Sequence, residues 1–191
     1  MIYSIHGTVA RVAESFAVIE AAGVGYRVLM GKRSLASLIP GSEAKVFTRL
    51  VPGEDAFELF GFADERSLEF FGRLVGVSGV GPRSAMALLD ATPCHELAAA
   101  IEENRPDLVA APGIGRKIAE RIVVELRGKV GEFAETGATG RMDADADILE
   151  ALVSLGYRKE QAANALRDVA KDIVGTEERL KAALGALGKR K

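Results

Sequence analysis

The chain has 191 residues, with 25 Lys and Arg against 27 Asp and Glu and a formal net charge of −2, so it is not a globally basic nucleic-acid binder, and any anion-binding surface must be local or built from uncharged donors. A single cysteine, Cys94, excludes an intramolecular disulfide and a cysteine metal cluster and fits a reducing compartment. No apolar run reaches membrane-spanning length, and Met1-Ile2-Tyr3-Ser4-Ile5-His6 lacks the basic start and long apolar core of a signal peptide, so a cytoplasmic location without membrane contact is expected.

Residues 1–63 read as strands. Tyr3, Ile5 and Val9 share one parity, and Val24, Tyr26, Val28 and Met30 alternate, which is the two-residue period of half-buried strands. Ala21-Ala22-Gly23 supplies a turn after a strand over Phe16 to Glu20. A short helix from Lys32 to Leu38 is stopped by Ile39-Pro40-Gly41, and strands near Glu43 to Val51 and Phe57 to Phe62 follow. Five strands with one small interruption predict a Greek-key barrel of the OB type. Between its last two strands, Pro52-Gly53-Glu54-Asp55 places two adjacent carboxylates at a hairpin tip. The pair admits three readings: ordinary turn chemistry, a weak magnesium site lacking a third ligand, or acids that repel phosphates.

Residues 64–130 read as helices around two short glycine loops, Ser78-Gly79-Val80-Gly81-Pro82-Arg83 and Pro112-Gly113-Ile114-Gly115-Arg116-Lys117. A helix over Asp64 to Val75 leads into the first loop and one over Arg83 to Leu89 leaves it. Thr92-Pro93 reads as the N-cap and first-turn proline of a connecting helix to Ile101. Asn104 to Ala110 enters the second loop, and Arg116 to Arg127 leaves it with Ile118, Ile122 and Leu126 in one stripe. In each loop the glycines permit positive φ or a close backbone approach, and the free amides of the following helix make an anion cradle. Arg83 and Ser84 beside the first cradle, and Arg116 and Lys117 beside the second, add contacts to a phosphate. Arg121 is read as the solvated side of an amphipathic helix, paired with Glu120 or Glu125. One GxG turn carries little information. Two in register are the pattern of tandem helix-hairpin-helix motifs, which grip both backbones of a duplex across its minor groove without reading bases.

Residues 131–145, poor in large apolar side chains, read as a flexible linker. Beyond it, Asp147 to Leu155, Lys159 to Ala170 and Thr176 to Leu187 form three short helices over 146–191, a domain too small for more than a marginal core and better suited to docking than to catalysis. The fold class is therefore α+β: a barrel over 1–63, a tandem helix-hairpin-helix domain over 64–130, a linker and a small three-helix domain.

This order of parts, with Gly23-Val24-Gly25-Tyr26, Glu54-Asp55-Ala56 before Leu59-Phe60-Gly61-Phe62, the two hairpins and Leu152 to Tyr157 after a linker, resembles the RuvA family along essentially the whole chain. The resemblance implies a Holliday junction binding subunit, a homotetramer or a face-to-face octamer, that recruits the hexameric RuvB ATPase for branch migration and associates with the RuvC resolvase. It implies DNA contacts at Gly79, Gly81, Arg83, Ser84, Gly113, Gly115, Arg116 and Lys117, an acidic pin at Glu54 and Asp55, and motor docking through Leu152, Leu155, Tyr157 and Leu184. In the family a basic residue often precedes the pin acids, where this chain has Gly53. No cofactor, metal or catalytic residue is expected, and no G-x-x-x-x-G-K-[ST] loop is present, so energy must come from another subunit. A tandem-hairpin repair glycosylase or nuclease would instead need a catalytic acid or lysine in a pocket. A single-strand-binding scaffold would need more aromatic residues than 8 Phe, 3 Tyr and no Trp.

Overall fold

A computed structural model describes residues 1–53, 56–134, 138–170, 173 and 175–188. It divides into two compact units, Met1–Ala134 and Glu135–Lys191.

The first unit opens with a closed five-stranded barrel in the order β1-β2-β3-β5-β4, made of β1 (Ser4–Val12), β2 (Phe16–Ala21), β3 (Val24–Leu29), β4 (Glu43–Pro52) and β5 (Phe57–Phe62). β3 and β5 pair in parallel, and the remaining pairs are antiparallel. Alternation fills the interior with Ile5, Val9, Ala17, Ile19, Val28, Met30, Val46 and Leu59. The five-residue helix α1 (Lys32–Ala36) adds Leu35 to that core. The parity expected of Tyr3 and Val24 does not extend that far: Tyr3 precedes β1, and Val24 begins its strand at an exposed turn. The Tyr3 hydroxyl donates to Glu65, a contact that pushes the phenol pKa upward.

The outer face of the barrel is apolar on one side because it meets helices. Leu29, Phe60 and Phe62 share a core with Leu68, Phe70, Phe71 and Leu74 of α2 (Glu65–Val75). The Phe71 ring stacks on Phe60 at 5.6 Å and tilts against Phe62 at 4.9 Å. Burial of each such ring contributes about 1.5–3 kcal/mol, which joins barrel and helices into one body. α2 starts where the Asp64 carboxylate accepts from the Ser67 amide at 2.7 Å. α3 (Pro82–Ala91), α4 (Cys94–Glu102) and α5 (Arg116–Leu126) follow. Thr92 is the last cap of α3 and not the first of α4. Pro93, extended at φ −54° and ψ 146°, takes that place. The segment entering the second loop is one 3-10 turn, Pro106–Leu108, in place of the expected helix. Pro106 supplies no amide, and the Arg105 guanidinium clamps Asp107 at 2.7 Å, holding its carboxyl below the usual range.

The linker expected over 131–145 is shorter than that. Val130 and Phe133 are buried. Phe133 meets Phe70 edge to face at 5.1 Å, and a 3-10 turn spans Gly131–Phe133. The Glu102 carboxylate accepts from the amides of Gly128 and Val130, and Arg66 donates to the Glu132 carbonyl. These contacts strap the segment to the first unit.

In the second unit α6 (Ala138–Ser154) starts well before the expected Asp147, and α7 (Lys159–Arg167) and α8 (Thr176–Gly188) complete three helices. Ala144 in the early turns of α6 is among the core residues, but no helical period of large apolar residues precedes Ile148 in the sequence to mark them. Ile148, Leu152, Ala162, Ala165, Leu166, Val169 and Ala183 form the core. Beside it lies a buried ion pair: Arg179, 4% exposed, donates to Asp145 at 2.7 and 2.8 Å and to the Ile173 carbonyl at 2.7 Å.

Candidate nucleic-acid interface

The two glycine loops have one backbone conformation. Gly79 and Gly113 lie at φ +87° and +85°, where a side chain would be strained. Gly81 and Gly115 are extended, at φ −80°, ψ 163° and φ −82°, ψ 167°, and cap α3 and α5. Nothing in the fold itself requires glycine there: a Cβ at either position would meet nothing within 4 Å. Both therefore face open space where an anion can approach the backbone.

The amides beside that space have no acceptor among the described residues. Those of Gly81, Arg83 and Ser84 in the first loop, and of Gly115, Arg116 and Lys117 in the second, donate to no described group. They are the orphan donors of a helix start, aligned with the positive end of its dipole. Val80 is buried beneath the first loop, and Ile114 packs half-buried beneath the second. Short bonds close each turn, Val80 to the Val77 carbonyl at 3.0 Å and Ile114 to the Ala111 carbonyl at 2.9 Å.

A hydrogen bond ties the loops together: Arg121 of α5 donates from Nη1 to the Ser78 carbonyl at 3.0 Å. The loops also approach closely, with Ser84 Oγ of α3 lying 3.2 Å from where a Gly113 Cβ would sit. Arg121 is thus a link between the hairpins, which a reading as a solvated helix face missed. Ser84 is half-buried between them. Among the cations, Arg83 is exposed and pairs with Glu58 of β5, and Arg116 pairs with Glu120 at 2.9 Å. Lys117 has no ion pair with a described residue. Exposed pairs of this kind are worth about 0–1 kcal/mol, so an arriving phosphate can displace them.

Glu54 and Asp55 lie outside the described residues. The ladder on either side is complete to Pro52 opposite Phe57, and Gly53 donates to the Ala56 carbonyl at 2.9 Å. A Cβ at position 53 would stand 2.5 Å from that carbonyl oxygen, which is a steric reason for glycine where a basic residue was looked for.

In the second unit, the four residues expected to meet a partner separate. Leu152 is fully buried and belongs to the three-helix core, because it falls on the inward stripe with Ile148. It supports a surface and cannot itself be one. Leu155 is 65% exposed, next to Val153 at 43%. Tyr157 and Leu184 are half-buried against the core.

Among the described residues no group of three His, Cys, Asp or Glu is placed to hold a metal ion, and no helix is long and apolar enough to cross a membrane. Cys94 is half-buried, and burial pushes its thiol pKa upward.

Comparison with known proteins matches residues 1–61 to the RuvA N terminal domain, residues 71–129 to the SAM-like helix-hairpin-helix tandem and residues 143–188 to the RuvA C-terminal domain. The chain is 44% identical to the Holliday junction branch migration complex subunit RuvA of Mycobacterium leprae, covering 99% of each protein. It is 45% identical to the protein of the same name from Rhodococcus jostii and 42% identical to that from Nocardia farcinica, again over 99% of both chains.

Proposed function

The chain belongs to the RuvA family, and from that premise we propose that it is the Holliday junction binding subunit of a branch migration complex, gripping duplex arms by backbone amides and performing no bond chemistry itself. The observation that carries the reading is the pair of matched hairpins, each with amides that donate to no described group beside open space, tied together by Arg121. A phosphate oxygen in each cradle accepts from the amides of Gly81, Arg83 and Ser84, or of Gly115, Arg116 and Lys117. Arg83 and Arg116 then turn from Glu58 and Glu120 to the backbone, and Lys117 adds a free charge. None of these groups is a base reader, so contacts survive as the DNA slides.

A four-armed substrate is matched by a fourfold ring with one subunit per arm. Four subunits, each with a cation beside both cradles (Arg83 at the first, Arg116 or Lys117 at the second), neutralise about eight phosphates, so the hairpins alone contribute a log-log salt slope of roughly −7 at about −0.9 per phosphate. Glu54 and Asp55 at the centre of such a ring repel phosphates and keep the strands open and apart. The exposed Val153 and Leu155, with Tyr157, support docking of a RuvB-type hexameric ATPase on the second unit, and a RuvC-type resolvase acts on the same open junction. A repair glycosylase or nuclease is not favoured by the family the chain belongs to.

The test is the Gly81→Val, Gly115→Val double variant. Both positions have extended backbone with free space, so the fold tolerates valine while the side chain fills the phosphate site. Loss of hydrogen bonds to a charged group, each about 1.5–3 kcal/mol, should weaken junction binding by at least tenfold at an unchanged unfolding midpoint. Unchanged affinity in gel-shift titrations would overturn the cradle.

A further inference from the structure

We propose that the outer face of the barrel carries a second phosphate-binding strip, Arg11 and Arg27 over Phe16, that continues the grip of the first hairpin along the same nucleic-acid arm. It rests on the reading of the chain as a duplex-binding subunit.

The strip is made by register, not by sequence proximity. Arg11 of β1 and Arg27 of β3 both lie opposite Val18 of β2. Their neighbours Val12, Ala17 and Val28 point into the barrel, so alternation turns both arginines outward. Both are exposed. Their guanidinium carbons stand 5.9 and 4.5 Å from the centre of one ring, that of Phe16, which fixes two flexible side chains on a shared platform.

Two like charges are thereby gathered with no acid between them. Neither arginine has a carboxylate within ion-pairing distance among the described residues, and Glu14 and Glu20 on the same hairpin pair with neither. Other arginines, such as 73, 83, 105, 116 and 179, each have one. The missing counter-charge is what a bridging phosphate supplies, and guanidinium forks suit its oxygens.

The row leads to the hairpin. β3 and β5 pair in parallel with Val28 opposite Leu59, so Arg27 and Glu58 hold equivalent outward positions one residue earlier. Glu58 is the partner of Arg83 beside the first cradle. Arg11, Arg27, Glu58 and Arg83 thus form one line across three strand spacings, about 14 Å, which at about 3.4 Å per nucleotide of one strand covers roughly four nucleotides.

The experiment is a salt titration of junction binding by the full chain carrying Arg11→Gln and Arg27→Gln, against wild type, Gly115→Val and a charge-matched control, Lys159→Gln with Arg167→Gln on α7. The arginine pair should make the log-log slope shallower by about 2 per bound subunit, near 0.9 for each lost phosphate contact, while the α7 control leaves it unchanged. An unchanged slope for the arginine pair, or an equal change in the control, overturns the strip. Should the double variant unfold, Arg27→Gln alone carries the test with half the change, and no change there is equally fatal. If wild type itself shows no preference for junctions, or Gly115→Val binds as wild type, the underlying functional reading fails instead.

Discussion

At the scale of single residues, the glycines of the two loops divide into two physical types. Gly79 and Gly113 are required by their positive φ, whereas the fold leaves open space at Gly81 and Gly115, where the proposed phosphate would approach. The sequence shows four glycines in register but not this division, because the letter is the same for both reasons. Arg121 is the residue a sequence conceals most fully. Four positions before Glu125, it has the i,i+4 spacing of a solvated helical ion pair, and only folding reveals Ser78 as its acceptor. Replacing Arg121 with Ala removes a charged hydrogen bond between the hairpins and should cost about 1–2 kcal/mol of stability. It should also weaken junction binding beyond that cost by loosening the spacing of the cradles. Urea denaturation beside a binding titration checks both, and a variant with full affinity would mean that the loops are positioned without it.

Secondary-structure elements were legible wherever apolar period and punctuation coincide. The strand Phe57–Phe62 and the end of α2 at Val75 fall where the apolar run after the turn and the helical spacing put them. Legibility failed where long-range contacts decide. Phe133 belongs to the first unit because Phe70 and Arg66 lie under it, and nothing near it in sequence says so. Leu152 shows the converse: spacing gave it an apolar role but not which way it faces. The second unit also depends on a contact that no pattern announces, Arg179 with Asp145. Arg179 is buried and Asp145 is partly exposed, so the two halves of the pair are unequal. Asp145→Ala strands a buried guanidinium and should destabilise the three helices by about 3 kcal/mol or more, whereas Arg179→Leu, which leaves a carboxylate that water can reach, should cost less. Unfolding followed in the full chain tests this order, with junction affinity unaltered in both variants. Equal costs would show that burial of the arginine is not what matters.

The whole molecule joins a small number of neutral donors to a small number of displaced charges. Its net charge of −2 agrees with that economy, since amides at helix starts bind phosphate without appearing in any charge count. Selectivity for a crossed substrate must then come from arrangement. On the proposed reading, Glu54 and Asp55 of four subunits would bring eight carboxylates to the centre of a ring and so raise the energy of continuous duplex there. Glu54→Lys with Asp55→Lys should therefore narrow the preference for junctions over linear duplex, read by competition, and an unaltered preference would remove repulsion from the account. The most direct measurement is the native mass of the chain mixed with equal amounts of a four-way junction and a linear duplex of matched length. The account predicts four or eight chains on each junction, with the duplex left bare. One or two chains per DNA, or equal occupancy of both, would contradict it.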